Sequence, residues 1–146
     1  GVALVDIGGG TTDFAIFERG SLWHTGVIAI GGGHFTHDIA VGLRTPIPEA
    51  EKIKRRCGCA LSALVEEDQT IEVVSHGGRL PRVMAKRLLS DILQPRAEEI
   101  FHLLWDEIRR AGYENALNAG IVLTGGAAVL DGTAEIAEQK IGRAHV

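Results

Sequence analysis

The chain has 146 residues and a net charge of −4, from 15 basic and 19 acidic side chains, so its charge balance gives no ground for a nucleic-acid partner. Hydrophobic residues make up 45% of it, yet no apolar run approaches the roughly 20 residues of a membrane-spanning helix. The composition therefore describes one globular domain at most, long enough to bury a single core. Cys57 and Cys59 are separated by one residue. They are too close for an easy disulfide and too few for a four-ligand zinc site, and they read as reduced thiols. No basic n-region precedes the first apolar run, so no secretory leader is read.

In chain order, Val2 to Ile7 is an almost continuous apolar run that suits a buried strand. Gly8, Gly9 and Gly10 break it, Asp13 to Phe17 resumes it, Arg19-Gly20 turns it again, and Leu22 to Ile30 is a third strand. The three strands predict an antiparallel meander. After the glycines at 31–33 a helix is expected through Leu43, with Thr36 as its N-cap and Phe35, Ile39 and Leu43 on one face. Pro48 is expected at the first position of the next helix. Glu49 and Glu51 then fall in its first turn and Lys54, Arg55 and Arg56 in its last, as the helix dipole favours, with Gly58 as the stop. Thr70 to Val74 predicts a strand and His76-Gly77-Gly78 a turn. Val83 to Arg110 reads as helical, with Pro95 kinking it or dividing it in two and Gly112 ending it. Gly120 to Leu123 is a buried strand leading into Thr124-Gly125-Gly126 and a weak helix from Ala127 or Thr133.

Three motifs carry chemistry. The first runs from Asp6 through Gly8, Gly9, Gly10, Thr11 and Thr12 to Asp13. Glycines let a backbone approach a phosphate closely, and successive N–H groups in such a turn form an anion site. Thr11 and Thr12 add hydroxyls. Asp6 and Asp13 would repel a phosphate unless a divalent cation or its waters lay between. A bare glycine hairpin is the plain alternative, but two aspartates bracketing the turn directly after an apolar strand favour phosphate binding. The second motif, Gly120 to Ala127, is a strand entering paired glycines, whose small side chains leave room for a flat ring. Its plain alternative is a close-packed turn. In the third, Glu51 and Lys54 share one helical face and could hold ribose hydroxyls or merely form a solvated pair. His34 and His37 have helical spacing but no third ligand nearby, so no metal site is assigned to them.

Together, and in this order, the three motifs resemble the superfamily of actin, heat-shock chaperones and sugar kinases. Finer marks resemble the FtsA family of bacterial cell-division proteins. They are Gly32-Gly33 leading to Thr36-His37-Asp38-Ile39-Ala40, and Ala50 to Lys54 running on to Gly58-Cys59-Ala60-Leu61. Gly78-Arg79 with Pro81-Arg82, Pro95-Arg96 with Glu99, and Ile121 through Ala127 complete the set. The resemblance implies an α/β fold, the second domain of an actin-like ATPase, with a mixed sheet, flanking helices and an inserted, mostly helical lobe. The N-terminal half of that fold is expected to be missing. Residues 1–34 and 114–140 would form the nucleotide-binding sheet subdomain and 35–113 the lobe. Residues 141–146 are expected to be a non-native tail, because they match one reading frame of a common sequencing adapter.

The resemblance also implies ATP and Mg2+ as ligands. Gly8, Gly9, Gly10, Thr11 and Thr12 would contact phosphates, and Asp6 would lie near the cation. Glu51 and Lys54 would contact ribose, and Gly125, Gly126, Ala127 and Ala128 would flank adenine. The parent protein would associate with itself and link the tubulin-like FtsZ to the membrane. It would work in the bacterial cytoplasm, on the cytoplasmic face of the inner membrane at the division site, through a membrane-touching segment outside this chain. With half of the cleft elsewhere, this chain alone is expected to bind ATP poorly and to be inactive. A sugar kinase or a chaperone-type ATPase is the alternative. The kinase would need a carboxylate base beside its acceptor hydroxyl, and only the phosphate-site aspartates offer one.

Overall fold

The computed structural model describes residues 1–77 and 80–146. Gly78 and Arg79, part of the predicted turn and of the family marks, lie outside the described residues. Strands β1 (Val2–Ile7), β2 (Thr12–Glu18) and β3 (Ser21–Ile28) form the expected antiparallel meander, in the registers Asp6 with Asp13 and Thr12 with Ile28. β6 (Ile121–Thr124) inserts parallel to β1 on its other side, and β7 (Ala144–His145) pairs parallel with β6. The result is a mixed five-stranded sheet of order β3-β2-β1-β6-β7. A separate antiparallel pair joins β4 (Thr70–Val73) to β5 (Arg82–Ala85).

Side chains alternate across the sheet. Ala3, Val5, Ile7, Phe14, Ile16, Ile121 and Leu123 point into the core, whereas Leu4, Val27 and Val122 are exposed on the other face. The buried face is continuous with side chains of α1 (Gly32–Leu43), α3 (Lys86–Arg110) and α4 (Thr133–Lys140). Phe35, Ile39 and Leu43 from α1 meet Leu93, Ile100, Phe101, Leu104 and Ile108 from α3 in that core. No helix among the described residues is long and apolar enough to cross a membrane.

Several local expectations shift. α1 starts at Gly32 with Gly31 as N-cap, so Thr36 lies inside the helix rather than capping it. His34 supplies the cap instead, its Nδ1 accepting the Gly31 N–H at 3.0 Å. α2 (Ile47–Cys57) has Pro48 at its second position, and Glu51 falls beyond the first turn. Arg82 to Ala85 form a strand, so the helix starts at Lys86 rather than Val83. Pro95 sits inside α3, which runs on as one helix. Its end is as expected. Gly112, at φ +83°, donates to Arg109 O and Tyr113 donates to Ile108 O, the paired bonds of a Schellman motif.

Candidate functional site

The glycine turn after β1 is closed by the Gly8 N–H donating to Thr11 O at 2.9 Å. A second glycine turn packs onto it. The N–H groups of Gly32 and Gly33 donate to the carbonyls of Gly8 and Gly9 at 2.6 and 2.7 Å. These bonds satisfy two donors that a helix start leaves open, and they fix the N-terminus of α1 against the β1–β2 turn. The approach requires glycine: a Cβ at Gly31 would stand 2.5 Å from Gly8 O. On the other side of β1, the turn after β6 holds Gly125 at φ +93°, with Ile7 O and the Asp6 carboxylate where a side chain would go.

These turns open onto a cavity of about 590 Å³. Gly8 and Gly9 from the first motif, Glu51 and Lys54 from the third, and Gly126 and Ala127 from the second all line it. Thus one residue pair from each motif converges on one space, although the three are separated by most of the chain. Its polar lining is partly charged, with Arg55, Arg56 and Asp131 added to Glu51 and Lys54. Val129 and Leu130 supply an aliphatic wall.

Other predicted residues stand elsewhere. Thr12 is fully buried and its hydroxyl donates to Ile30 O at 2.7 Å, which commits that proton to the fold. Thr11 is exposed and donates to Asp13 Oδ2 at 3.2 Å. Asp6 and Asp13 face each other across the β1–β2 ladder and line a shallower cleft on the exposed face of the sheet, with Leu4 and Val27. A side chain at Gly10 would meet nothing within 4 Å, and Ala128 is buried without lining the cavity.

Lys54 is the unusual side chain. It is 9% exposed, and its ammonium donates to Gly32 O at 3.1 Å and Thr36 Oγ1 at 2.8 Å while pairing with Glu51 Oε2 at 2.9 Å. An ammonium has three protons, so each has an acceptor here. Thr36 in turn donates to Glu51 Oε2 at 2.5 Å, and Arg55 Nε reaches Glu51 Oε1 at 2.9 Å. Burial by itself raises the Glu51 pKa. Hydrogen bonds from Thr36, Lys54 and Arg55 outweigh it and lower the pKa to about 2, so the carboxylate is ionised at neutral pH.

Sequence reading missed Thr36 as a site residue, and also Arg55, Arg56 and Asp131. The i,i+4 spacing of Glu51 and Arg55 was a usable signal for one of them. Thr36 had none, because its partners lie 15 and 18 residues away.

The profile of the family described as cell division protein FtsA matches residues 3–145. The chain belongs to the FtsA family. It is 51% identical over 139 residues to the cell division protein FtsA of Pseudomonas aeruginosa, covering 95% of this chain and 33% of that protein. It is 45% identical over 146 residues to FtsA of Escherichia coli, covering 95% of this chain and 35% of that protein. The chain therefore spans about a third of the length of these FtsA relatives. Among solved structures, MreB5 of Spiroplasma citri, described as bound to ADP, superposes with a TM-score of 0.71 at 22% identity, over 99% of this chain and 48% of that one. At that identity the likeness speaks for the fold, which is actin-like. The FtsA relatives that this chain matches are described as cell division proteins.

Proposed function

We propose that this chain forms one wall of a nucleotide cleft, and that the FtsA-type protein it represents binds Mg·ATP there. The reading rests chiefly on the convergence of Gly8–Gly9, Glu51–Lys54 and Gly126–Ala127 around one cavity. In this reading the turn from Gly8 to Thr11 forms the phosphate side, where the backbone N–H groups of Gly9 and Gly10 meet anionic oxygens, while Thr12 supports the turn from within through its bond to Ile30 O. Glu51 accepts from the ribose hydroxyls, with Lys54 beside it. Gly125 to Ala128 flank the adenine, and Val129 and Leu130 add apolar surface to the same wall.

Asp6 and Asp13 offer carboxylate oxygens, the donor type that Mg2+ takes. No group of three or more His, Cys, Asp or Glu able to hold an ion occurs among the described residues. The pair lines the cleft on the other face of the sheet from the cavity, so a cation near it would have to reach phosphate around the β1–β2 turn and draw its remaining ligands from phosphate oxygens and water. The cation would neutralise phosphate charge beside Asp6. No side chain of the cavity is assigned as a base for hydrolysis, and the protein is read as a nucleotide-dependent scaffold. It would associate with itself and join FtsZ to the cytoplasmic face of the inner membrane at the septum.

Isothermal calorimetry with Mg·ATP tests this on two polypeptides, this chain and a full-length FtsA-type protein that contains it. Binding by the longer protein, with weak or no binding by this chain, is the expected result, since convergent charge-assisted contacts are each worth about 1.5–3 kcal/mol and only part of them lies here. A folded full-length protein that binds no nucleotide would return the glycine turns to a structural role. FtsZ retention on the immobilised full-length protein then tests the scaffold reading.

A further inference from the structure

We propose that Thr36 and Lys54 are positioning residues that clamp the Glu51 carboxylate to the α1 glycine turn, so that the ribose-binding side of the cleft and its phosphate side move as one unit. The inference rests on the nucleotide reading of the cavity and goes beyond it, because it takes Lys54 out of direct ribose contact and brings in Thr36.

The argument starts from donor arithmetic. Lys54 has three protons and three protein acceptors: Gly32 O, Thr36 Oγ1 and Glu51 Oε2. A ribose hydroxyl offered to Lys54 would have to displace one of them. Thr36 has one proton, with Glu51 Oε2 at 2.5 Å a far closer acceptor than Gly32 O at 3.4 Å, while its oxygen accepts from Lys54. Glu51 Oε2 is thus held from two sides, by α1 through Thr36 and by its own helix through Lys54. Among the described residues, the other oxygen, Oε1, meets only Arg55, an exposed side chain on the same helix. Of the two carboxylate oxygens, Oε1 is the one with capacity for a ligand hydroxyl.

The clamp continues to the phosphate side without a break. Lys54 grips the carbonyl of Gly32, the Gly32 N–H grips Gly8 O, and the Gly33 N–H grips Gly9 O. One ion pair and three hydrogen bonds therefore link the carboxylate facing one part of the cavity to the turn lining another. Lys54 is nearly buried, and such an ammonium is held only where its protons are matched. Its cost of burial makes sense as a tether between α2 and the two glycine turns.

The test uses the full-length FtsA-type protein carrying this segment and measures affinity for Mg·ATP, Mg·2′,3′-dideoxyATP and Mg·tripolyphosphate. Thr36→Val keeps the shape of Thr36 and removes the hydroxyl. It should weaken ATP about five- to tenfold, leave dideoxyATP within about twofold, and so shrink the ratio between them. Thr36→Ser should restore that ratio, which a loss of packing alone would not predict. Lys54→Met should weaken all three ligands, tripolyphosphate included, because the glycine turns lose their tether. An unchanged ATP to dideoxyATP ratio in a folded Thr36→Val protein overturns the clamp. So does a Lys54→Met protein that loses ATP affinity but keeps full tripolyphosphate affinity. A wild-type protein that binds none of the three ligands instead overturns the nucleotide reading itself, and the two failures are thereby told apart.

Discussion

Arg96 on α3 and Asp38 on α1, 58 residues apart, meet fork to fork, with Nε to Oδ2 at 2.7 Å and the terminal nitrogen to Oδ1 at 2.8 Å. Both side chains are about three-quarters buried, at 26% and 22% exposure, and Glu99 stands 3.6 Å from the same guanidinium. The hydrogen bonds that Asp38 accepts from the guanidinium are the main reason the Arg96 pKa is raised. The pair crosses the helix interface that carries Ile39 and Ala97, so it fixes how α1, and with it the second glycine turn, sits on the core. Replacing Arg96 by Met should destabilise the fold by about 1–3 kcal/mol, because Asp38 keeps its charge in a partly buried place without its partner. Arg96→Lys should recover only part, since an ammonium cannot make both parallel bonds. Urea unfolding of the three proteins measures this, and equal midpoints would remove the pair from the account of the fold.

Two glycines should respond differently to alanine. Gly31→Ala places a methyl 2.5 Å from Gly8 O and 2.8 Å from Thr11 N, forcing apart the two turns that line the cavity. A loss of about 1–3 kcal/mol is expected, as for other overpacked sites. Gly10→Ala meets nothing within 4 Å and has no left-handed φ, so its unfolding midpoint should stay close to wild type. Thermal unfolding of both variants compares them directly, and equal effects would mean that turn-on-turn packing is not what demands glycine at position 31.

Glu51 gives a pH signature. Its pKa falls from an ordinary 4.5 to about 2 in the folded chain. A depressed carboxylate contributes stability that is complete above its unfolded pKa and is lost as pH falls through the folded value. The stability gap between wild type and Glu51→Gln should therefore be constant above about pH 5 and close between about pH 4.5 and pH 2. A third of the Glu51 side chain remains open to solvent, so screening by water and salt should keep the gap modest. Denaturant titrations at pH 7, 4 and 3 follow it. A gap that widens on acidification would reverse the sign and exclude the hydrogen bonds from Thr36 and Lys54 as its source.

Pro95 lies on the exposed side of an otherwise continuous α3. A proline there lacks the N–H that would bond to Asp91 O and crowds the preceding turn. Pro95→Ala should stabilise the chain by about 1–3 kcal/mol, the proline penalty offset in part by local adjustment of the helix. Chemical unfolding measures the change. Lower stability in the alanine variant would mean that a bend at Pro95 is needed to bring Arg96 onto Asp38.

The sequence by itself determined the elements whose causes are local. Glycine and Arg-Gly breaks between apolar runs were enough for the β1–β2–β3 meander, and the spacing of Phe35, Ile39 and Leu43 for the buried face of α1. Gly112 marked the end of α3 because a left-handed residue is needed one step past a helix. The i,i+3 pairing of Glu51 with Lys54 was equally legible from helical geometry. Where the cause was distant, local reading failed. Val83 to Ala85 took the strand form because β4 offers them a ladder, and a stretch that short has no period of its own to distinguish strand from helix. Thr36 looked like an N-cap because its partners on α2 cannot be seen from α1. Only the tertiary structure decided that β6 enters parallel beside β1. That pairing brings Gly126 and Ala127 to the cavity that Glu51 also lines. It also decided that Lys54 is buried with every proton accepted while Thr12 turns its hydroxyl inward. Contacts between residues far apart in the chain are set by how the buried faces fit together. A single sequence records which faces are apolar but not which of them meet.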